Sequence, residues 1–336
     1  MKRHIPAIFF VLALAGFTTY MALDTFVISR AYDVKVVENT SMFEENGSVS
    51  VGTGENESAE NSAKTGENAS AENSAGAGEN SVTNTPSNSI ATLPSLVASG
   101  GSYTSETAAI TLYEYNEHNT SIYVADVVLT SAEYLKTAFA NNTYGKNVTA
   151  TTSSIAKANQ AVLAINGDFY GTQEKGYVIR NGVVYRDSAK GADVLCVYAD
   201  GSMEIVNDRE YTAKQLVDMN VWQAFSFGPG LIENGEITVD GDDEVSKAMV
   251  SNPRTAIGII DANHFVFVVS DGRTGESEGL SLLELAQFMK SLGVKTAYNL
   301  DGGGSSTMYF NGEIINNPTS GGRIKERKVS DIVYIG

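Results

Sequence analysis

The chain has 336 residues and a formal net charge of −17, with 23 Lys and Arg against 40 Asp and Glu. So acidic a balance excludes nucleic acid as a partner, because its phosphates need a basic face, and it also argues against adhesion to anionic headgroups. A single cysteine excludes an intramolecular disulfide framework and a Cys-based zinc site, and three histidines leave little material for a Ser-His-Asp or His-rich zinc mechanism.

The N-terminus reads Met1-Lys2-Arg3-His4, followed by 19 uncharged, mostly apolar residues from Ile5 to Leu23 and then Asp24. About 20 such residues span a bilayer as one helix, and cations ahead of them favour an inside N-terminus. No small-x-small site closes the run, so residues 1–37 are expected to form an uncleaved signal-anchor, with the membrane as partner and the rest of the chain outside the cytoplasm. A cleaved signal peptide is the alternative, and it would leave the protein secreted. Residues 38–98 carry nine Glu and one Lys, and a 12-residue unit beginning at Thr53-Gly54-Glu55-Asn56 recurs at Thr65 and, in part, at Ala77. These repeats hold no large apolar side chain to face a core, so they are expected to be a disordered, self-repelling acidic linker.

From residue 99 the pattern becomes that of a folded domain. Ala108–Tyr115 and Ser121–Leu129 alternate as paired strands around a turn at Asn116–Asn119. Ser153–Gln160 reads as a short helix and Ala161–Ile165 as a buried strand. Asn181-Gly182 and Asp200-Gly201 suit tight hairpin turns between Tyr177–Arg180 and Val183–Arg186, and between Val194–Tyr198 and Met203–Val206. Cys196, inside that strand-like run, reads as a buried structural thiol. Thr212 is placed to cap a helix reaching about Met219. Thr255–Ile260 and Phe265–Ser270 form a further hairpin, and Ser281 with Glu284 makes a capping box ahead of the apolar face Leu282, Leu285, Ala286, Met289 and Leu292. After Gly293 come strand Lys295–Leu300 and a last hairpin, Thr307–Phe310 with Glu313–Ile315 around Asn311-Gly312. Hairpins outnumber helices. The fold class is therefore α+β: residues 99–336 as one sheet-rich domain of antiparallel or mixed strands with a few flanking helices.

Chemistry concentrates where strands end. Asp301-Gly302-Gly303-Gly304-Ser305-Ser306-Thr307 follows a strand directly, so its backbone can approach a ligand closely, and its N–H groups are expected to converge as an anion-binding nest. No Lys-Ser/Thr closes this loop as in a phosphate-binding P-loop, and no helix follows as in a dinucleotide fingerprint. Asn166-Gly167-Asp168-Phe169-Tyr170 offers an amide, a carboxylate and two aromatic rings, the materials of sugar sites. In Pro253-Arg254-Thr255-Ala256-Ile257-Gly258, Arg254 stands at a strand mouth where a guanidinium grips phosphate through paired hydrogen bonds. Ser270-Asp271-Gly272-Arg273 places another acid and arginine at a strand end, and Phe225-Ser226-Phe227-Gly228-Pro229-Gly230 is a shaping turn.

Taken together and in this order, these strings resemble the phosphodiester glycosidase family, over a stretch from about Ser153 to the C-terminus. The resemblance implies hydrolysis at an anomeric carbon, with a glycan or sugar phosphodiester as substrate and a phosphomonoester as leaving group. Asp168, Arg254 and Asp301 are then the expected catalytic residues. Asn166, Asp271, Arg273, Gly302, Gly303, Gly304, Ser305, Ser306 and Thr307 are expected to bind substrate. No cofactor is implied, although Asp168, Asp271 and Asp301 leave Mg²⁺ or Ca²⁺ open as hard-oxygen partners. Two other readings use the same residues: a non-catalytic phosphoglycan-binding protein and a metal-dependent phosphohydrolase.

Overall fold

The computed structural model describes residues 5–32, 42–43, 101–240 and 251–336. Apart from Met42 and Phe43, the expected acidic linker at 38–98 lies outside the described residues. Among them, every strand pair is antiparallel. A long sheet runs in the order Glu236–Ile237, Gly230–Glu233, Thr296–Asn299, Arg254–Asp261, His264–Ser270, Thr120–Leu129, Ala108–Glu117 and Ser102–Thr104. A second sheet runs Glu313–Ile314, Met308–Phe310, Leu163–Asn166, Asp331–Ile335 and Lys136–Phe139. A third runs Met203–Asn207, Asp193–Tyr198, Val221–Phe225, Val178–Arg180 and Val183–Arg186.

The inner faces of all three sheets meet in one core, where Phe267 and Tyr298 pack with Ile165, Met308, Leu195 and Phe225. Each outer face is covered by one helix. Helix α2 (Thr152–Ala158) covers the second sheet, α3 (Ala213–Asp218) the third and α4 (Leu282–Ser291) the long one. Strands such as His264–Ser270 are therefore buried on both faces, which explains why they read as continuous apolar runs. Both capping predictions hold: Thr212 with Gln215 and Ser281 with Glu284 form reciprocal capping boxes. The hairpin turns also follow the sequence. Asn181 and Gly182 take φ of 51° and 75°, and Asn311 and Gly312 take 48° and 98°. Strands Lys136–Phe139, Val221–Phe225 and Asp331–Ile335 carry no comparable turn signal and were not anticipated.

Helix α1 forms over Ile5–Phe26, but among the described residues no helix is long and apolar enough to cross a membrane. Asp24 ends the uncharged run with ion pairs to Arg30 and, at 3.4 Å, to Lys146. The expectation of a membrane-spanning anchor over residues 1–37 thus finds no support among the described residues. The chain after α1 is tied to the domain instead, because Arg30–Ala31 pairs with Gly145–Lys146.

Gly258, the last residue of the Pro-Arg-Thr-Ala-Ile-Gly string, serves packing. A Cβ there would lie 2.7 Å from Val294 Cγ1, 2.8 Å from Met289 Cε and 3.2 Å from the Thr296 carbonyl. Gly258→Ala is expected to overpack the α4 interface and cost about 1–3 kcal/mol. Chemical denaturation checks this, and an unchanged midpoint would show that α4 has room to move.

Candidate active site

The strand ends that the sequence singled out converge on one side of the core. Asn166 is the joint. Its Nδ2 donates to the Asp301 carbonyl at 2.6 Å and the Gly167 carbonyl at 3.2 Å, while Oδ1 accepts from Thr255 Oγ1 at 2.9 Å and Thr307 N at 3.2 Å. Its amide is fully occupied by the protein, so Asn166 holds the site's three strings together. The triglycine bend lies against the arginine string: Gly303 N donates to the Pro253 carbonyl at 2.7 Å, and a Cβ on Gly302 would be 2.9 Å from that oxygen and 3.8 Å from Arg254 Cα. Bend and arginine string therefore share one site.

Within the bend the expected nest of converging N–H donors is not realised. Gly303–Ser305 closes as a 3₁₀ turn, with Ser305 N bonded to the Gly302 carbonyl and Ser306 N to the Gly303 carbonyl. Guanidinium groups flank it. Arg273 Nη2 would lie 2.9 Å from a Cβ on Gly303, whose φ is +62°, so only glycine gives this backbone and leaves this arginine its place. Arg273 is itself held by Asn252 Oδ1, at 2.8 Å from Nη2. On the other side Arg327 donates from Nε to Ser305 Oγ at 2.8 Å and from Nη2 to Asp301 Oδ2 at 2.6 Å. Its guanidinium also lies 5.5 Å from the Phe169 ring centre. Phe169 adopts φ 64°, an uncommon left-handed conformation for an aromatic residue. Arg254 is buried, with its Cα against Gly302 of the bend and its Nε donating to the Leu280 carbonyl at 2.7 Å.

The three aspartates differ in what the protein leaves them. Asp168 is 1% exposed; Oδ1 accepts from Arg180 Nη2 at 2.9 Å and Tyr170 N at 3.2 Å, and Oδ2 from Ser226 N at 3.0 Å. Asp271 is bound on both oxygens by Asn316 and Asn317. Asp301 takes its bonds from Ser305 and Arg327 on Oδ2, and among the described residues Oδ1 carries none. Burial raises the Asp301 pKa above the ordinary carboxylate value, while Arg327 and Ser305 oppose that rise. Ser306 Oγ and Thr307 Oγ1 are buried hydroxyls with no partner among the described residues. No group of three His, Cys, Asp or Glu side chains there is placed to hold a metal ion.

Three basic residues of the site were not anticipated. Arg327 belongs to Arg323-Ile324-Lys325-Glu326-Arg327-Lys328, a basic run in an acidic chain, and that contrast was the available signal. Lys190 donates to the Ser226 carbonyl at 2.8 Å and to Gln173 Oε1 at 3.3 Å, and burial lowers its pKa against the pull of Asp168 and Asp208. Arg180 is fully buried between Asp168 and Asp331, bonding Asp331 Oδ2 from Nε at 2.8 Å, with its guanidinium 4.2 Å from the Phe225 ring centre. Burial works to lower the Arg180 pKa, yet the two carboxylates overcome it and the pKa is raised. Arg180→Met is expected to strand two buried carboxylates and destabilise the domain by about 3–5 kcal/mol, read from a denaturation curve. A loss below a tenth of that range would mean that the triad is not structural.

A sheet-built site joining arginines, a glycine bend and a half-bonded carboxylate is that of a hydrolase of the glycosidase type. The family model described as phosphodiester glycosidase matches residues 159–336, more than half the chain, and the chain belongs to that family. A prophage-derived uncharacterized protein of Bacillus subtilis, YomE, is 30% identical over 198 residues, which is 57% of this chain and 30% of that protein. Human N-acetylglucosamine-1-phosphodiester alpha-N-acetylglucosaminidase is 35% identical over 130 residues, 35% of this chain and 24% of the enzyme. The chain thus spans less than a third of the length of either of these relatives. The fold is shared with the catalytic domain of the zebrafish enzyme of that name, at TM-score 0.54 and 20% identity over 68% of this chain and 82% of the other. It is shared as well with a hypothetical protein from Synechocystis, at TM-score 0.54, 16% identity and coverage of 69% and 62%.

Proposed function

We propose that this protein hydrolyses the anomeric C–O bond of a sugar-1-phosphodiester, releasing the sugar and a phosphomonoester. One observation carries the reading: Asp301 Oδ1, which carries no bond among the described residues, lies beside a glycine bend flanked by Arg273 and Arg327. A phosphate leaving group departs as an anion and needs positive charge more than a proton, and guanidinium groups at the bend supply it. When the C1–O bond breaks, its electron pair goes to the phosphate, and the anomeric carbon takes on oxocarbenium character opposite the Asp301 carboxylate. Water then supplies the new C1–O bond and releases one proton. Asp168, bound on both oxygens, and Lys190 fix the Ser226 peptide from its two ends, and so shape the pocket wall.

The proposal includes action outside the cytoplasm, on a cell-surface or extracellular glycan, supported by Lys2 and Arg3 ahead of the uncharged run at Ile5–Leu23, the charged start and apolar stretch of a secretory signal peptide. Protease accessibility of the domain in intact cells tests it, and protection until lysis would overturn it.

Turnover of a chromogenic sugar-1-phosphodiester, with both products identified, tests the chemistry. Asp301→Asn is expected to lower kcat/KM at least about 100-fold while leaving the melting temperature in place. Near-normal rates would remove Asp301 from the mechanism, and binding without product release would turn the site into one that only recognises phosphoglycans. The pH profile gives an independent check. The Arg327 charge holds the Asp301 pKa down, so Arg327→Met moves it further up. The ionised carboxylate is then lost at higher pH, and the acidic limb of kcat/KM should shift upward. A limb that stays in place or moves down would disconnect Asp301 from that ionisation.

A further inference from the structure

The core opens to the surface between the edge of the long sheet and the hairpin Met308–Phe310 with Glu313–Ile314. The opening is a cleft of about 350 Å³ bounded by Tyr113, Glu114 and Tyr123 on one side and Met308, Glu313 and Ile314 on the other. Glu114 and Tyr123 are direct cross-strand partners, so carboxylate and ring stand side by side on the inner face of the sheet. The cleft adjoins the arginine-flanked site through Asp271. Asn316 and Asn317, the residues that bind Asp271, follow Ile315 directly at the end of the hairpin. From the other wall Tyr123 faces the same carboxylate: burial first, then Asp271 and Glu114, push its phenol pKa up to about 12.

None of the residues that line this cleft is cationic, in contrast to the bend a short distance away. Its carboxylates repel phosphate and uronate alike. The Tyr123 ring offers the apolar face of a sugar a stacking surface, and rim carboxylates accept hydrogen bonds from hydroxyl groups. We propose that this cleft is a subsite for an uncharged sugar unit of the glycan whose phosphodiester occupies the bend. Its place in the substrate rests on the hydrolase reading above. Its sugar chemistry does not.

The test is binding, without turnover, of the neutral N-acetylglucosamine disaccharide, followed by calorimetry and by NMR of isoleucine methyl groups. Shifts are expected at Ile314 and Ile315. The double variant Glu114→Ala/Glu313→Ala, altered at two exposed positions, should bind at least fivefold more weakly with an unchanged melting temperature. Equal affinity in wild type and double variant, or shifts confined to residues around Asp301, would overturn the subsite. A protein that cleaves no phosphodiester but binds the disaccharide in this cleft keeps the subsite and loses the hydrolase reading. Cleavage without such binding overturns the subsite alone.

Discussion

Arg180 ties together parts of the molecule that hydrophobic packing alone would leave free to slide. It stands at the end of strand Val178–Arg180 in the third sheet, while both of its carboxylate partners, Asp168 and Asp331, belong to segments of the second. Hydrophobic contact is non-directional and sets how closely two sheets approach, but hardly their register. A buried guanidinium with fixed donor directions sets that register, since any slip leaves charges unpaired where no solvent reaches them. The triad also fixes the chemistry downstream. With Asp168 neutralised by Arg180, the turn at Gly167–Tyr170 is locked, and the Asp301 backbone is seated on it through the Gly167 carbonyl at 3.3 Å. Gly167 has no room for a side chain there, because a Cβ would fall 2.1 Å from Asp331 Oδ1. A glycine read in the sequence as part of a turn is thus the contact point between the ion triad and the site.

The triglycine bend works by the same logic of space. Its glycines were expected to present N–H donors to an anion, yet the donors at Gly303, Ser305 and Ser306 are bonded to backbone carbonyls. What the missing side chains provide is clearance. Gly302 lets the bend rest on the Pro253 carbonyl, and Gly303 leaves the volume that Arg273 fills. On the proposed function, recognition of the phosphate falls to the Arg273 and Arg327 side chains rather than to the main chain.

This difference marks what the sequence disclosed. Hairpins with Asn-Gly turns, both capping boxes and the doubly buried strands were legible, because each is decided by residues within a few positions of one another. The strings at Asn166–Asp168, Arg254, Asp271–Arg273 and Asp301–Thr307 were legible as strand ends rich in functional groups, and the fold gathers them. Arg180, Lys190 and Arg327 were not, since nothing in Val178-Ile179-Arg180 or in Lys325-Glu326-Arg327 says that a carboxylate some 150 or 26 positions away closes on it. Nor could the sequence rank the three aspartates. All three follow strands in similar settings, and only their partners separate two fully bonded carboxylates from one with an oxygen to spare.

A net charge of −17 disfavours an anionic phosphodiester at long range, and the resolution lies in distance. At physiological ionic strength, interactions between exposed charges fade over about 8 Å, so the acidic surface contributes little inside a pocket. Partly buried charges are screened far less. Arg273 and Arg327 flank one glycine bend, and Arg327 is bound to Asp301 there, so on the proposed function these guanidinium groups supply the local positive charge an anion needs. On the proposed function, the acidic exterior would discourage polyanions that meet the whole surface more than a single diester that meets only the site. Such a division suits an enzyme of phosphate-linked glycans, whose substrate bears its charge at one link and neutral sugar elsewhere.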